Sequence, residues 1–283
     1  MSPGAAGVHP GPASRDEGTF MPSEDYDSSL LGHAVPEEKR RLELLEETLD
    51  PISQTHLAAC RIGEDWRCLD VGAGNGSIAR WLSGRCPRGE IVASDIDTRF
   101  LPGPRSETRI KVIQHDVLTD NFPPESFDLI HTRALLVHTP ERDDILHRMT
   151  SWVKPGGLLV IEEPFFIGHE DSEHPVFRHL MRAMEQILRD IAGTDMRWAH
   201  GLSQHLHSLE LRIEAKTLSP LICGHTSPVD RLWHATVTQL RPGFLSSGLL
   251  PGDEIDAFLD LLNRPEFLEI VFCLSSITAR RPA

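Results

Sequence analysis

Residues 68–77, CLDVGAGNGS, join a short apolar run to an acid and three alternating glycines. Glycine permits positive φ and lets a backbone approach a bulky ligand without a Cβ clash. Gly72, Gly74 and Gly76 therefore read as a cofactor turn at a strand end, where open α/β sheets bind their ligands. Two ligand chemistries compete for such a turn. The dinucleotide pattern G-x-G-x-x-G needs a glycine at 77, where Ser77 stands. A carboxylate at Asp70 does nothing for a pyrophosphate, but it suits a ligand carrying positive charge. The turn favours a cationic, phosphate-free cofactor.

Side chains able to do chemistry recur at the ends of later apolar runs. IVASDID supplies Asp95 and Ile96, VIQHDVL supplies Asp116 and Val117, SFDLIHTRALLVHTP supplies His131 and His138, and GLLVIEEP supplies Glu162 and Glu163. The runs that position them are predicted as strands over 67–71, 90–94, 109–114, 127–131 and 157–162. Helical stretches start near Ser77, Thr98, Leu135 and Arg142. Apolar strands alternating with helices imply a parallel sheet covered on both faces. Upstream, PEEKRRLELLEETL reads as a helix, and Asp50 and Pro51 restart a second short one to about Leu57. A His-rich helical segment follows to about Ser208. LRIEAKTLSPLI and FLEIVFCLSSITA are two late strands around a helical insertion, suited to an antiparallel edge hairpin.

LDVGAGNGSIARWL resembles motif I of the class I S-adenosylmethionine-dependent methyltransferases, acid-x-Gly-x-Gly-x-Gly. The likeness runs in register from about 67 to 164, and the chain is most similar to ubiquinone/menaquinone-biosynthesis-type and bacterial natural-product methyltransferases. The resemblance implies a Rossmann-like α/β fold. Its seven-stranded sheet would be mostly parallel with an antiparallel last strand. A helical cap would come from the N-terminus and from the insertions after strands five and six. It implies S-adenosylmethionine as cofactor, held by Asp70, Gly72, Gly74, Gly76 and Ser77. Asp95 would take the ribose hydroxyls with Ile96 beside it. Asp116 would meet the adenine amino group with Val117 at the ring, and His131 would lie beside the cofactor. Tyr26, the single tyrosine, would belong to an N-terminal aromatic lid.

The reaction is then methyl transfer by in-line displacement to carbon, nitrogen or oxygen of a small, largely apolar or aromatic natural product. A base is needed only where the acceptor must lose a proton. Glu163, His138, His169 and Glu170 are the candidates, and strand alternation lets only one of Glu162 and Glu163 face the cleft. HTRA lacks the (Asp/Asn)-Pro-Pro-aromatic turn of amino-group methyltransferases. His131 stands where metal-dependent relatives place an acid, so no metal is expected, and GHEDSEHPVFRHL lacks zinc-ligand spacing. An enzyme coupling methylation to cyclisation and a non-catalytic cofactor-binding protein are the alternatives. An NAD-dependent oxidoreductase is disfavoured by Ser77.

The 283 residues carry a net charge of −14, which disfavours a nucleic-acid partner. No apolar run reaches the length of a membrane span and no secretory signal is visible, so a cytoplasmic protein is expected. The five cysteines show no CxxC pair and read as reduced thiols. The expected organisation is a disordered tail (1–22), a helical lid (23–64), a cofactor-binding core (65–164), a helical cap (165–208), and the last two strands with a helical insertion (209–283). The N-terminal helices could mediate a homo-oligomer.

Overall fold

A computed structural model describes residues 32, 35–101, 109–224 and 227–283. The expected tail at 1–22 and Tyr26 lie outside these residues, as does most of the stretch after Thr98. Of that stretch, 99–101 is turn and bend, not helix.

The elements follow in order as α1 (Glu38–Ala58), β1 (Arg67–Val71), α2 (Ser77–Arg85), β2 (Glu90–Asp95), β3 (Ile110–Gln114) and β4 (Phe127–Arg133). They continue with α3 (Arg142–Trp152), β5 (Val153–Phe165), α4 (Pro175–Ala192), α5 (Leu202–Ser208), β6 (Arg212–Cys223), α6 (Pro228–Ser247), α7 (Gly252–Leu261) and β7 (Glu269–Arg280). Single 3₁₀ turns fall at Leu136–His138, His169–Asp171 and Trp198–Gly201.

The seven strands form one sheet in the order β3-β2-β1-β4-β5-β7-β6. β1 to β5 are parallel, and β7 runs antiparallel to both β5 and β6. The late strands thus pair as expected, with β7 inserted beside β5 and β6 left at the edge. The sheet separates two apolar clusters. Cys68, Ile91, Ala93, Leu129, Leu158 and Val160 face Ile78, Ala79 and Leu82 of α2. Leu69, Val71, Val92, Ile130, Leu159 and Ile161 face the larger cluster with α3 and α4. Burial on both faces explains why these strands read as continuous apolar runs.

α1 departs from expectation, because Pro51 lies inside one unbroken helix. Proline removes one backbone donor and normally costs about 3 kcal/mol in a helix interior. Here the residues around it are anchored: Asp50 and Ser53 both accept from the Arg133 guanidinium, each at 2.9 Å. Tertiary contacts outweigh the local break. β5 also begins earlier than expected, at Val153, because the KPGG segment continues the strand.

Candidate active site

The glycine turn sits at the carboxyl end of β1, where β2 and β4 flank it on opposite sides. Gly72, Gly74 and Gly76 have φ of 67°, 55° and 79°, a region that disfavours any side chain. The backbone N–H groups of Gly72 and Ala73 donate to the Ser94 carbonyl and tie the turn to β2. Gly74 N–H donates to Asp95 Oδ2 at 2.8 Å, and Asp97 N–H donates to Asp95 Oδ1 at 3.2 Å. Asp95 is thereby aimed across the turn. A Cβ placed on Gly74 would meet nothing within 4 Å, so the turn opens onto free space there. Asn75 is buried, yet neither polar atom of its side-chain amide has a partner among the described residues.

β3 supplies the next part. Asp116 Oδ1 accepts from Leu118 N–H at 2.8 Å, and Val117 is buried beside it. Ile96, half-buried, lends its carbonyl to Gln114. His115, preceding Asp116, stacks on Phe122 with ring centroids 4.5 Å apart, and both its ring nitrogens are unpartnered. Burial pulls its pKa down, so the ring is held toward its neutral form.

The start of α2 bears on which cofactor fits. Ser77 N–H donates to Glu46 Oε1 of α1 at 3.2 Å, and Ser77 Oγ donates to Asp50 Oδ1 at 2.9 Å. Helix N-termini after glycine turns attract phosphate through their free N–H groups and dipole. Here two carboxylates of α1 already lie against that end, so a pyrophosphate would be repelled. Ser77, expected to touch the cofactor, is instead committed to α1. The donor set that remains (Asp70, Asp95, Asp116 and an open glycine backbone) fits an uncharged nucleoside with a cationic amino-acid end. That is the chemistry of S-adenosylmethionine.

Strand register settles the other candidates. Asp70 pairs with His131 across β1 and β4, and Glu162 pairs with Ser276 across β5 and β7. All four side chains lie on the α1–α2 face of the sheet. His131, expected beside the cofactor, is fully buried beneath the turn; its Nδ1 lies 2.8 Å from Asp70 Oδ1 and its Nε2 3.2 Å from Glu162 Oε2.

Glu163 points to the opposite face. Its carboxylate accepts from the N–H groups of Leu135, Leu136 and Val137 at 3.3, 2.9 and 3.3 Å, bracing the 3₁₀ turn. It is fully buried, and burial pushes its carboxyl up to about 7 against those three donors. A general base must reach the proton it removes, so this position does not serve as one. Glu170 is also displaced from the expected role. It is exposed and pairs with Arg182, which holds its carboxyl low.

His169 is buried against Phe166 with neither ring nitrogen hydrogen-bonded; the nearest acid oxygen is Glu170 Oε1 at 3.6 Å. His138 sits half-buried in the braced turn with Nδ1 3.0 Å from Thr194 Oγ1. Burial, with Arg41 and Arg142 nearby, lowers its pKa to about 4, so it is uncharged at neutral pH.

Residues 69–161 match the model of a methyltransferase domain. Over that stretch the chain carries a methyltransferase domain. It is 32% identical over 112 residues to Methyltransferase str3 of Strobilurus tenacellus, covering 39% of this chain and 40% of that protein. The chain spans between 40% and 49% of the length of the first curated relatives it matches. Among solved structures, the YcgJ protein of Bacillus subtilis aligns with a TM-score of 0.53 at 15% identity, covering 84% of this chain and 99% of that one. The [4+2]-cyclase SpnF aligns at 0.50 and 18% identity, covering 82% and 80%. At such identities these two share the fold.

The candidate site includes residues that the sequence pattern did not bring forward. Asn75 lies between two of the diagnostic glycines, and its position there was a usable signal. Glu46, Asp50 and Ser53 recur at helical spacing along α1, but only the folded chain brings them to Ser77 and Arg133.

Proposed function

We propose that the protein transfers a methyl group from S-adenosylmethionine to a small, largely apolar natural product. One observation carries the reading: an open glycine turn with Asp95 aimed across it, while the phosphate-attracting end of α2 is filled by Glu46 and Asp50. When bound, the cofactor supplies a methyl group on an electron-poor sulfur. The chain's own residues must then bind, orient and exclude water.

In this reading Asp95 releases its two backbone donors in favour of the ribose hydroxyls, which it can accept together. Asp116 and Val117 flank the adenine, and the amide of Asn75 acquires partners from the ligand. Residues 65–164 form the cofactor-binding core, with α1 as a lid and 165–208 as the cap toward the acceptor. The cap interior is apolar, with Phe166, Phe177 and Met181 among its buried side chains. Positioning of nucleophile and methyl group provides most of the rate, on the order of 7–11 kcal/mol where alignment is best. Where the acceptor must lose a proton, His138 is the candidate to receive it; it is uncharged at neutral pH, though burial and the nearby arginines make it a weak base.

Calorimetry with S-adenosylhomocysteine and NAD tests the reading. The homocysteine compound binds and NAD does not; the reverse result sinks it. Asp95→Ala weakens S-adenosylhomocysteine by on the order of a hundredfold, the loss of two charge-assisted hydrogen bonds. The likeness to SpnF brings a second reading, in which the same fold guides a cyclisation. Incubating labelled S-adenosylmethionine with candidate acceptors separates them, since cyclisation alone leaves the label on the cofactor.

A further inference from the structure

His131 is a buried cation site placed directly under the glycine turn. Its two ring nitrogens face two carboxylates, Asp70 on β1 and Glu162 on β5, at 2.8 and 3.2 Å. An ionised carboxylate only accepts hydrogen bonds, so satisfying both partners requires a proton on both nitrogens. Glu162 is fixed in turn by Ser276 Oγ, which donates to Oε1 at 2.6 Å. The charged or titratable groups facing the ring are these two acids and His56 of α1. Burial and the nearby His131 hold His56 below its ordinary pKa, while its Nε2 lies 2.9 Å from Thr278 Oγ1. The cluster is almost entirely removed from water: His131, Glu162 and Ser276 are fully buried and Asp70 is 3% exposed.

Only one oxygen of Asp70 is used in this way. Oδ1 is bound by His131, and Oδ2 has no hydrogen-bond partner among the described residues.

We propose that His131, held by Glu162, is a positioning residue that fixes one oxygen of Asp70 and turns the other toward the cationic end of the cofactor. The proposal rests on the reading of the turn as a cofactor site. Geometry and charge agree. Both acids hold the ring's pKa up, to about 9, against the opposing effect of burial, and the ring holds Glu162 down to about 2. Because binding and protonation share Asp70, the two equilibria are linked, and each must report the other.

The test is ¹⁵N NMR of the histidine rings in the full-length protein, with the His131 signal assigned from its loss in His131→Gln, together with calorimetry. At neutral pH the ring shows two protonated nitrogens. Asp70→Asn lowers its titration midpoint by more than about one pH unit, a tenfold loss of proton affinity. S-adenosylhomocysteine shifts the His131 signal in the wild-type protein, and its Kd rises on the order of tenfold in His131→Gln and in Glu162→Gln. Circular dichroism confirms that the variants fold. If they do not, the ring's protonation state and its response to the ligand in the wild-type protein still decide the matter. A neutral ring, or normal binding with an unmoved ring signal, overturns the clamp alone. Absence of any S-adenosylhomocysteine binding to the wild-type protein overturns the cofactor reading, on which the clamp depends, while the ring's protonation is still read independently.

Discussion

Replacing Glu163 with glutamine separates two forces that act on one buried carboxylate. Three backbone N–H groups favour its charged form, and removal from water favours the neutral one. Desolvation is the larger, raising the group from 4.5 to about 7. An unfolded chain ionises the same carboxyl near its ordinary value. Between the two values the folded state keeps a proton that the unfolded state has lost, so this group's contribution to stability falls as pH rises. The difference, about 7 less 4.5, corresponds to roughly 3 kcal/mol at 1.36 kcal/mol per pH unit. Glutamine cannot ionise, so its penalty is constant: an amide NH₂ facing a backbone donor, about 1–3 kcal/mol. Urea melts of both proteins from about pH 4.5 to about pH 8 give the comparison. The advantage of wild type over Glu163→Gln is greatest in acid and shrinks by roughly 3 kcal/mol toward the alkaline end. A gap that widens with pH would refute the reasoning, since the three N–H donors would then outweigh the loss of hydration.

Two glycines separate binding from folding. Gly74→Ala, with open space around its Cβ and φ of 55°, costs about 1–2 kcal/mol of backbone strain but weakens S-adenosylhomocysteine binding in calorimetry. Gly89→Ala sets its Cβ 2.0 Å from the Trp66 carbonyl oxygen, and a thermal melt should show a fall in Tm larger than that of Gly74→Ala. Arg133→Ala removes the two 2.9 Å contacts that hold Asp50 and Ser53 and leaves a half-buried acid without its cation, so stability drops by about 2–3 kcal/mol in urea and limited proteolysis cuts α1 sooner. Unchanged cleavage of α1 would show that its apolar face alone holds it down.

β1, β2, β4 and β5 were legible because each carries a run of apolar residues buried on both faces of the sheet. The cofactor turn was legible for the same reason that it works, since three positive φ values at alternate positions call for glycine. What each polar side chain faces was not legible. His131 and Glu162 are 31 residues apart, and only the register of β4 against β5 sets them 3.2 Å from each other. Alternation correctly sent Glu162 and Glu163 to opposite faces. It could not show that each face was already closed, by His131 and Ser276 on one side and by the 135–137 backbone on the other. Pro51 misled because a local rule about helix interiors lost to the grip of Arg133 on both sides of it.

Charge placement around the turn explains why a chain so rich in acids at its strand ends suits this cofactor. Each carboxylate near the turn has a definite balance. Asp50 is matched by Arg133, Glu46 by Arg80 at 3.7 Å, and Glu162 by His131. Asp70 shares His131 with Glu162, so two buried acids face a single imidazole. An anionic ligand would bring a further acid group into a region shielded from water, where like charges repel strongly. A ligand with a cationic end meets the acids favourably. Dinucleotide and S-adenosylmethionine turns share their glycines, so the backbone alone does not separate them. In this chain the discrimination lies in what the acids occupy: Glu46 and Asp50 of α1 take the Ser77 N–H and hydroxyl at the start of α2, and Asp70 of β1 and Glu162 of β5 set two acids about His131 at the end of the first strand.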